Sequence, residues 1–453
     1  MPNNNIPQIL IQPLKPALIA GVAQKLPVLI RVQAPDAVAT EKKVRKPFHL
    51  ALVIDRSGSM SGPPLAEAVR CAKHITDQLA PTDTASLVVF DDRVQTLVPA
   101  RPVGDRRALH LALSRVHSGG STNLHGGWQT GADGLLPGAA EAALARVILL
   151  SDGNANVGDI TDTAGIAALC AQAAERGVTT STYGLGRDFN EELMVEMAKR
   201  GSGNHYYGDT AADLFEPFAE EFDFISALCA RHVRLSLVGA PGVNVRLLND
   251  YPVEGDAGIP VIRLPDIAFG AEAWALVELE ITAGLAVEGS GQLLQAAVTA
   301  STPEGEPLSF ADALLTLPAM PVSAWEALLN DPLVVTRQAE LAAGKLLEQA
   351  RTAAEHGDWT TVERLLSEAR QRFAEQPWVI EVLESMAELA RSMDTARFRK
   401  EALYSSRKMS SRISAKEELN FDSLDAEAAS ISFLRRKIAQ GKAQFDKPDD
   451  SQK

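Results

Sequence analysis

From His49 onward, short and almost uninterrupted apolar runs alternate with longer amphipathic stretches. The run at 49–54, His-Leu-Ala-Leu-Val-Ile, lacks the period-two alternation of a strand with one wet face. It reads as a strand buried on both faces. Pro63-Pro64 then opens a helix to about Leu79, where the missing proline N–H is not needed. Further buried strands are expected at 85–90, 94–98, 146–150 and 178–183, with a short one at 205–207. Helices are expected at 105–116, 124–136, 163–176 and 190–199, and a last one from 209 or 210 to about 224. Asp105 and Asn190 cap two of them, and Gly177 and Gly201 stop two. This alternation specifies an α/β domain with a doubly wound, mainly parallel, Rossmann-like sheet. The close pair 85–90 and 94–98, joined by Asp91-Asp92-Arg93, adds one antiparallel edge hairpin. On open sheets of this kind, ligands bind beyond the carboxyl ends of the strands.

The flanks follow other rhythms. Residues 1–48 contain short strand-like runs punctuated by Pro7, Pro13, Pro16 and Pro27, too few to stand alone. Residues 227–320 carry strand patterns at 233–238, 243–248, 261–264, 274–281, 293–300 and 311–317, separated by Gly, Pro and Asn clusters. That spacing describes an antiparallel β-sandwich. The 1–48 segment is expected to complete it, so that the 49–226 domain is inserted into a β-sandwich. Residues 321–413 form an α-helical C-terminal region, with helical spacing at 334–356, 360–373 and 378–393. Its Gly357-Asp358-Trp359 turn between two helices resembles a tetratricopeptide hairpin. The 414–453 tail is polar and expected to be partly disordered, with a short helix at 426–440.

Composition narrows the partners. The 453-residue chain has a formal net charge of -14, which argues against a nucleic-acid partner, since such proteins present a strong basic field. Cys71, Cys170 and Cys229 are far apart and odd in number, the usage of a reducing compartment. No segment has the apolar length of a membrane span, and the N-terminus lacks the pattern of a secretory signal. The expected location is cytoplasmic.

Chemistry concentrates at the strand ends. Asp55-Arg56-Ser57-Gly58-Ser59 follows the first buried strand, and Asp152 follows the strand at 146–150. Thr122 lies in Gly119-Gly120-Ser121-Thr122-Asn123, ahead of a helix. Three loops thus bring two carboxylates and three hydroxyls to one edge of the sheet. An oxygen-only set suits a hard divalent cation, and the carboxylates offset its charge. Each residue singly is also a common helix or turn cap; the five together are poorly explained that way.

Asp55-x-Ser57-x-Ser59 with Thr122 and Asp152 resembles the metal-ion-dependent adhesion site of von Willebrand factor A domains. The stretch Ser151-Asp152-Gly153-Asn154-Ala155-Asn156-Val157-Gly158 is similar to the matching loop of bacterial members. The wider layout resembles inter-alpha-trypsin inhibitor heavy chains and their bacterial relatives. The resemblance implies that Ser57, Ser59 and Thr122 offer hydroxyl oxygens to Mg²⁺, Mn²⁺ or Ca²⁺. It implies that Asp55 and Asp152 act directly or through water, and that an open position takes a partner's Asp or Glu carboxylate. It also implies a non-enzymatic binding module, whose bacterial relatives work with AAA+ ATPases or in stress and defence assemblies. Two other readings stay open at this level: a metal-assisted hydrolase, and a helical scaffold whose metal site is structural. His117 and His125 flank the Thr122 loop, but no third soft ligand lies nearby. Asp91 and Asp92 are ordinary hairpin-turn residues, and Arg56 is expected at the rim of the binding face. Neither a phosphate-cradling GxxxxGK[ST] nor a G-x-S-x-G elbow is present.

Overall fold

The chain divides into two compact units. One unit spans residues 40–226 with 303–306, the other residues 1–39, 227–302 and 307–453. The computed structural model describes residues 6–35, 47–139, 144–152, 154–185, 190–208, 227–254, 260–285, 291–303, 305–411 and 414–415. The helix expected at 209–224 and the tail helix at 426–440 lie outside these.

The α/β unit holds a six-stranded sheet in the order Val94–Pro102, Thr84–Phe90, Phe48–Asp55, Leu144–Ser151, Val178–Leu185, His205–Gly208. Neighbours are parallel except the Thr84–Phe90 and Val94–Pro102 hairpin. Every residue of Leu144–Ser151 and of Val178–Leu185 is buried, which explains why their sequences do not alternate. Val178–Leu185 is nevertheless rich in hydroxyls, and partners satisfy them. Arg146 Nε donates to Thr179 at 2.9 Å and Trp128 Nε1 to Thr180 at 3.0 Å. Asn204 N donates to Ser181 at 3.1 Å, and Thr182 donates to Met194 O at 2.8 Å. Leu124–Leu135, Thr163–Glu175 and Glu191–Arg200 share one core with that face of the sheet, built around Trp128, Phe90 and Val147. Asn123, Asp162 and Asn190 each cap a helix through a side-chain oxygen. The helix expected at 105–116 is confined to Arg107–Leu113, because Arg106 before it takes a left-handed φ of 64°.

The second unit contains two antiparallel sheets. In one, Gln24–Gln33 lies between Gln8–Pro13 and Ala271–Ile281, with Val243–Leu247 beyond. The register of the central pair runs from Gln33 opposite Glu272 to Gln24 opposite Ile281. In the other, Leu228–Gly239 pairs with Gly291–Ser301, and Ala313–Leu317 pairs with the latter. Leu228–Gly239 starts earlier than its sequence pattern at 233–238 suggests. His232 adopts φ 52° and the register shifts between Arg231 and Arg234, so the alternation breaks mid-strand.

After the short helix Val322–Glu326, four longer helices follow among the described residues: Pro332–Glu355, Trp359–Arg372, Pro377–Ser392 and Thr395–Ser411. Asp331 and Asp358 cap the first two. The helical stretch ends at Ser392 because Met393 takes a left-handed φ of 51°, and Asp394 then accepts from Arg397 N at 3.0 Å. The last helix packs against the first, so the group closes on itself rather than stacking as a tetratricopeptide array. Gly344 permits that approach, since a Cβ there would meet Ser406 O at 3.2 Å. Leu333, Val334 and Leu341 of the first helix pack on Leu29, Trp274 and Leu276 of the first sheet.

Candidate metal centre

Parallel pairing sets the depth at which each loop leaves the sheet. Asp55 ends its strand opposite Phe90, and Ile54 lies level with Leu150. Asp55 and Ser151 therefore emerge side by side, with Asp152 next in sequence. Asp55 is fully buried: Oδ1 accepts from Ser57 N at 2.8 Å and Oδ2 from Ser151 Oγ at 2.6 Å. A single 3₁₀ turn, Gly58–Met60, follows. It turns the chain so that the Ser57 and Ser59 hydroxyls stand 3.1 Å apart. Ser57, Thr122 and Asp152 are buried and Ser59 is exposed, so the group opens to solvent on the serine side.

Backbone hydrogen bonds tie the three loops together. Gly58 N donates to Gly120 O at 2.8 Å and Gly119 N to Arg56 O at 2.7 Å. Thr122 N donates to Asn156 Oδ1 at 2.8 Å, while Asn156 N and Val157 N both donate to Thr122 O at 3.2 Å. Thr122 is thereby fixed both to the serine loop and to the segment after Asp152. Its loop is placed by the glycines of the helix that follows. A Cβ on Gly127 would lie 2.3 Å from Phe90 Cδ1, and one on Gly131 2.5 Å from Val53 Cγ2. Only glycine lets Leu124–Leu135 lie this close to the sheet.

Burial dominates the electrostatics. It pushes the Asp55 carboxyl up to about 6; hydrogen bonds from Ser151 and Ser57 oppose this, and the charge of Asp152 adds to it. Asp152 Oδ1 accepts from Asn154 N at 3.2 Å, and among the described residues no basic side chain pairs with either carboxylate. Two buried like charges facing hydroxyls are disfavoured unless a cation lies between them. Among the described residues no three His, Cys, Asp or Glu side chains form a metal-binding group, so a cation here would depend on the hydroxyls. An all-oxygen set of two carboxylates and three hydroxyls fits Mg²⁺ or a similar hard ion.

The other singled-out residues have different roles. His117 is exposed and His125 half-buried on a helix, without a third ligand. All three cysteines are buried; burial holds the Cys71 thiol up at about 12 and raises that of Cys170, which makes both inert. Trp128 and Trp274 are core residues. Asp91 closes the hairpin turn by accepting from Arg93 N at 2.8 Å, and also holds Arg56 at 3.1 Å. The sequence reading did not foresee Asn156, Ser151 or the Asp91 contact as supports of the site. Asn156 sits within the stretch quoted for the resemblance, which was its one available signal.

Residues 49–221 match the family model for the von Willebrand factor type A domain. Over 256 residues the chain is 25% identical to the uncharacterized protein sll0103 of Synechocystis sp., an alignment covering 54% of this chain and 60% of that one. It is 30% identical over 165 residues to inter-alpha-trypsin inhibitor heavy chain H1 of Mesocricetus auratus, covering 34% of this chain and 18% of the relative. The match thus spans less than two thirds of either relative's length. The solved structure of a von Willebrand factor type A protein from Catenulispora acidiphila superposes with a TM-score of 0.68 at 16% identity. It covers 90% of this chain and 98% of that one, so the fold is shared beyond the α/β unit. The segment from His49 is a von Willebrand factor type A domain.

Proposed function

We propose that the α/β domain is a divalent-cation-dependent protein-binding module and not an enzyme. Asp55, Ser57, Ser59, Thr122 and Asp152 hold the cation, and an Asp or Glu of a partner protein completes its coordination. The observation that carries this reading is the buried, mutually repelling pair Asp55 and Asp152, set among hydroxyls with no basic partner among the described residues. When bound, the cation supplies the charge this pocket lacks and an open position for a partner oxygen. The chain's own residues do the rest. Ser151 and the Ser57 amide aim the Asp55 carboxylate, and Asn156 holds the Thr122 backbone. Exposed Ser59 lies where a partner would approach.

Mg²⁺ is the proposed ion, with Mn²⁺ or Ca²⁺ as chemically similar substitutes. Cytoplasmic location belongs to the same proposal and rests on the cysteine usage. The partner class implied by the resemblance, an AAA+ ATPase or a stress or defence assembly, is addressed by identifying what the domain captures. The test uses the full chain as bait in Mg²⁺ and in EDTA, beside Asp152→Ala. Capture should vanish in EDTA and in the variant, while circular dichroism shows both proteins folded. Capture that persists in EDTA overturns the reading.

A further inference from the structure

Arg56 and Asp91 lie where three loops meet. Their side chains join at 3.1 Å, and Asp91 is buried. Each also takes part through its backbone. Arg56 N donates to Phe90 O at 2.8 Å, and Arg56 O accepts from Gly119 N at 2.7 Å. Asp91 O accepts from Asn123 N at 2.8 Å, while its Oδ1 accepts from Arg93 N at 2.8 Å. The Asp91 carboxylate rests directly on the Thr122 loop: a Cβ on Gly119 would fall 1.7 Å from Oδ2. The pair therefore touches the loop that carries Ser57 and Ser59, the hairpin turn, and the loop that carries Thr122.

The charges are informative as well. Asp91 is a further carboxylate close to a pocket that already holds two, yet it faces a guanidinium. An internally neutralised pair adds no net charge to the site. What it adds is fixed distance, and metal affinity depends on outer groups that hold ligands in place.

We propose that Arg56 and Asp91 are a positioning pair that sets the placement of the Ser57–Ser59 loop against the Thr122 loop, and through it the affinity of the site for a divalent cation. This rests on the metal-binding reading above.

The test titrates Mn²⁺ into the full chain by calorimetry and follows thermal melting in EDTA. The deciding variant is the double substitution Arg56→Gln with Asp91→Asn, which removes both charges together. It leaves the local net charge unchanged and strands no buried ion. Positioning predicts Mn²⁺ binding about 10–100-fold weaker than wild type, the usual loss when a supporting partner of a metal ligand is removed. An effect through charge alone predicts unchanged affinity for the double variant, tighter binding for Arg56→Gln and weaker binding for Asp91→Asn. Under positioning both single variants weaken, and Arg56→Lys, which can still reach Asp91, recovers most of the affinity. Unchanged Mn²⁺ affinity in the double variant overturns the proposal, whether or not its melting temperature in EDTA falls. If wild type binds no Mn²⁺, or Asp152→Ala binds it equally well, the metal-binding reading itself fails, and that outcome is distinct from the first.

Discussion

Asp55 and Glu272 are both fully withdrawn from water, and the two units treat them oppositely. Glu272, 1% exposed, lies beneath Arg31, whose Nε contacts its two oxygens at 3.1 and 2.9 Å and whose Nη2 reaches Oε2 at 2.7 Å. Gln33 Nε2 adds a donor at 2.8 Å, and Arg337 contributes its charge. Burial raises the Glu272 carboxyl, and these groups offset only part of that rise. Asp55 receives a hydroxyl and an amide, but its charged neighbour is Asp152, of the same sign. The β unit completes its buried carboxylate with its own cation. Among the described residues the α/β unit supplies Asp55 with no cation of its own, and under the proposed function one from outside completes it. Burial alone is thus no sign of a binding site; what sets Asp55 apart is that no basic side chain among the described residues meets it.

The largest effect should come from breaking the internally completed case. Removing one partner of a buried ion pair strands the other and costs about 3–5 kcal/mol. Arg31→Met should lower stability by that order in urea unfolding, and adding Glu272→Gln should recover much of it. A loss below about 1 kcal/mol for Arg31→Met would mean that Gln33 and Arg337 suffice, and the contrast between the two carboxylates would shrink.

The next effect concerns the incomplete case. A ligand that binds only the folded state adds about 2.7 kcal/mol of stability at a hundredfold excess over its Kd. Mg²⁺ at that excess should raise the melting temperature of the wild-type α/β domain. In Asp55→Asn it should have no effect. In EDTA the same variant should be no less stable than wild type, because it removes a buried charge that no basic side chain among the described residues balances. Arg31→Met and Asp55→Asn therefore move metal-free stability in different ways, although both disturb a buried acid. A wild-type melting curve unmoved by Mg²⁺ would remove the distinction drawn above.

Much of this was legible in sequence, for identifiable reasons. The α/β rhythm shows because strands such as Leu144–Ser151 are buried on both faces. The five candidate ligands show because each sits in a short contiguous motif just beyond a strand or before a helix. Less legible was anything set by one backbone angle or by a contact across loops. His232 hides the first half of its strand, and Met393 splits one helical stretch into two. Arg56 and Asp91 are 35 positions apart in number and look like a variable motif position and a turn residue. Only the folded chain reveals their connection, a 3.1 Å ion pair whose carboxylate packs on Gly119.

A third way to bury an ionisable group is to keep it neutral, and His205 in the α/β unit does so. The residue is half-buried, its Nδ1 lies 2.9 Å from Thr182 Oγ1, and burial of its ring lowers its pKa from 6.5 to about 3. The unfolded chain takes up a proton near pH 6.5, whereas the folded chain resists until about pH 3. Stability from this group is therefore complete above pH 6.5 and declines as the pH falls through that window. The slope has an upper limit of about 1.4 kcal/mol per pH unit, and partial exposure holds His205 below it. His205→Asn keeps a hydrogen-bonding group near Thr182 and removes the titration. Its melting temperature should fall less steeply than that of wild type between pH 6.5 and 5, measured in EDTA so that metal binding does not contribute. Parallel pH profiles for the two proteins would show that His205 titrates alike in both states. Asp55 could not supply an acid loss in its place, because its raised carboxyl takes up a proton more readily in the folded chain and so favours folding as the pH falls below about 6.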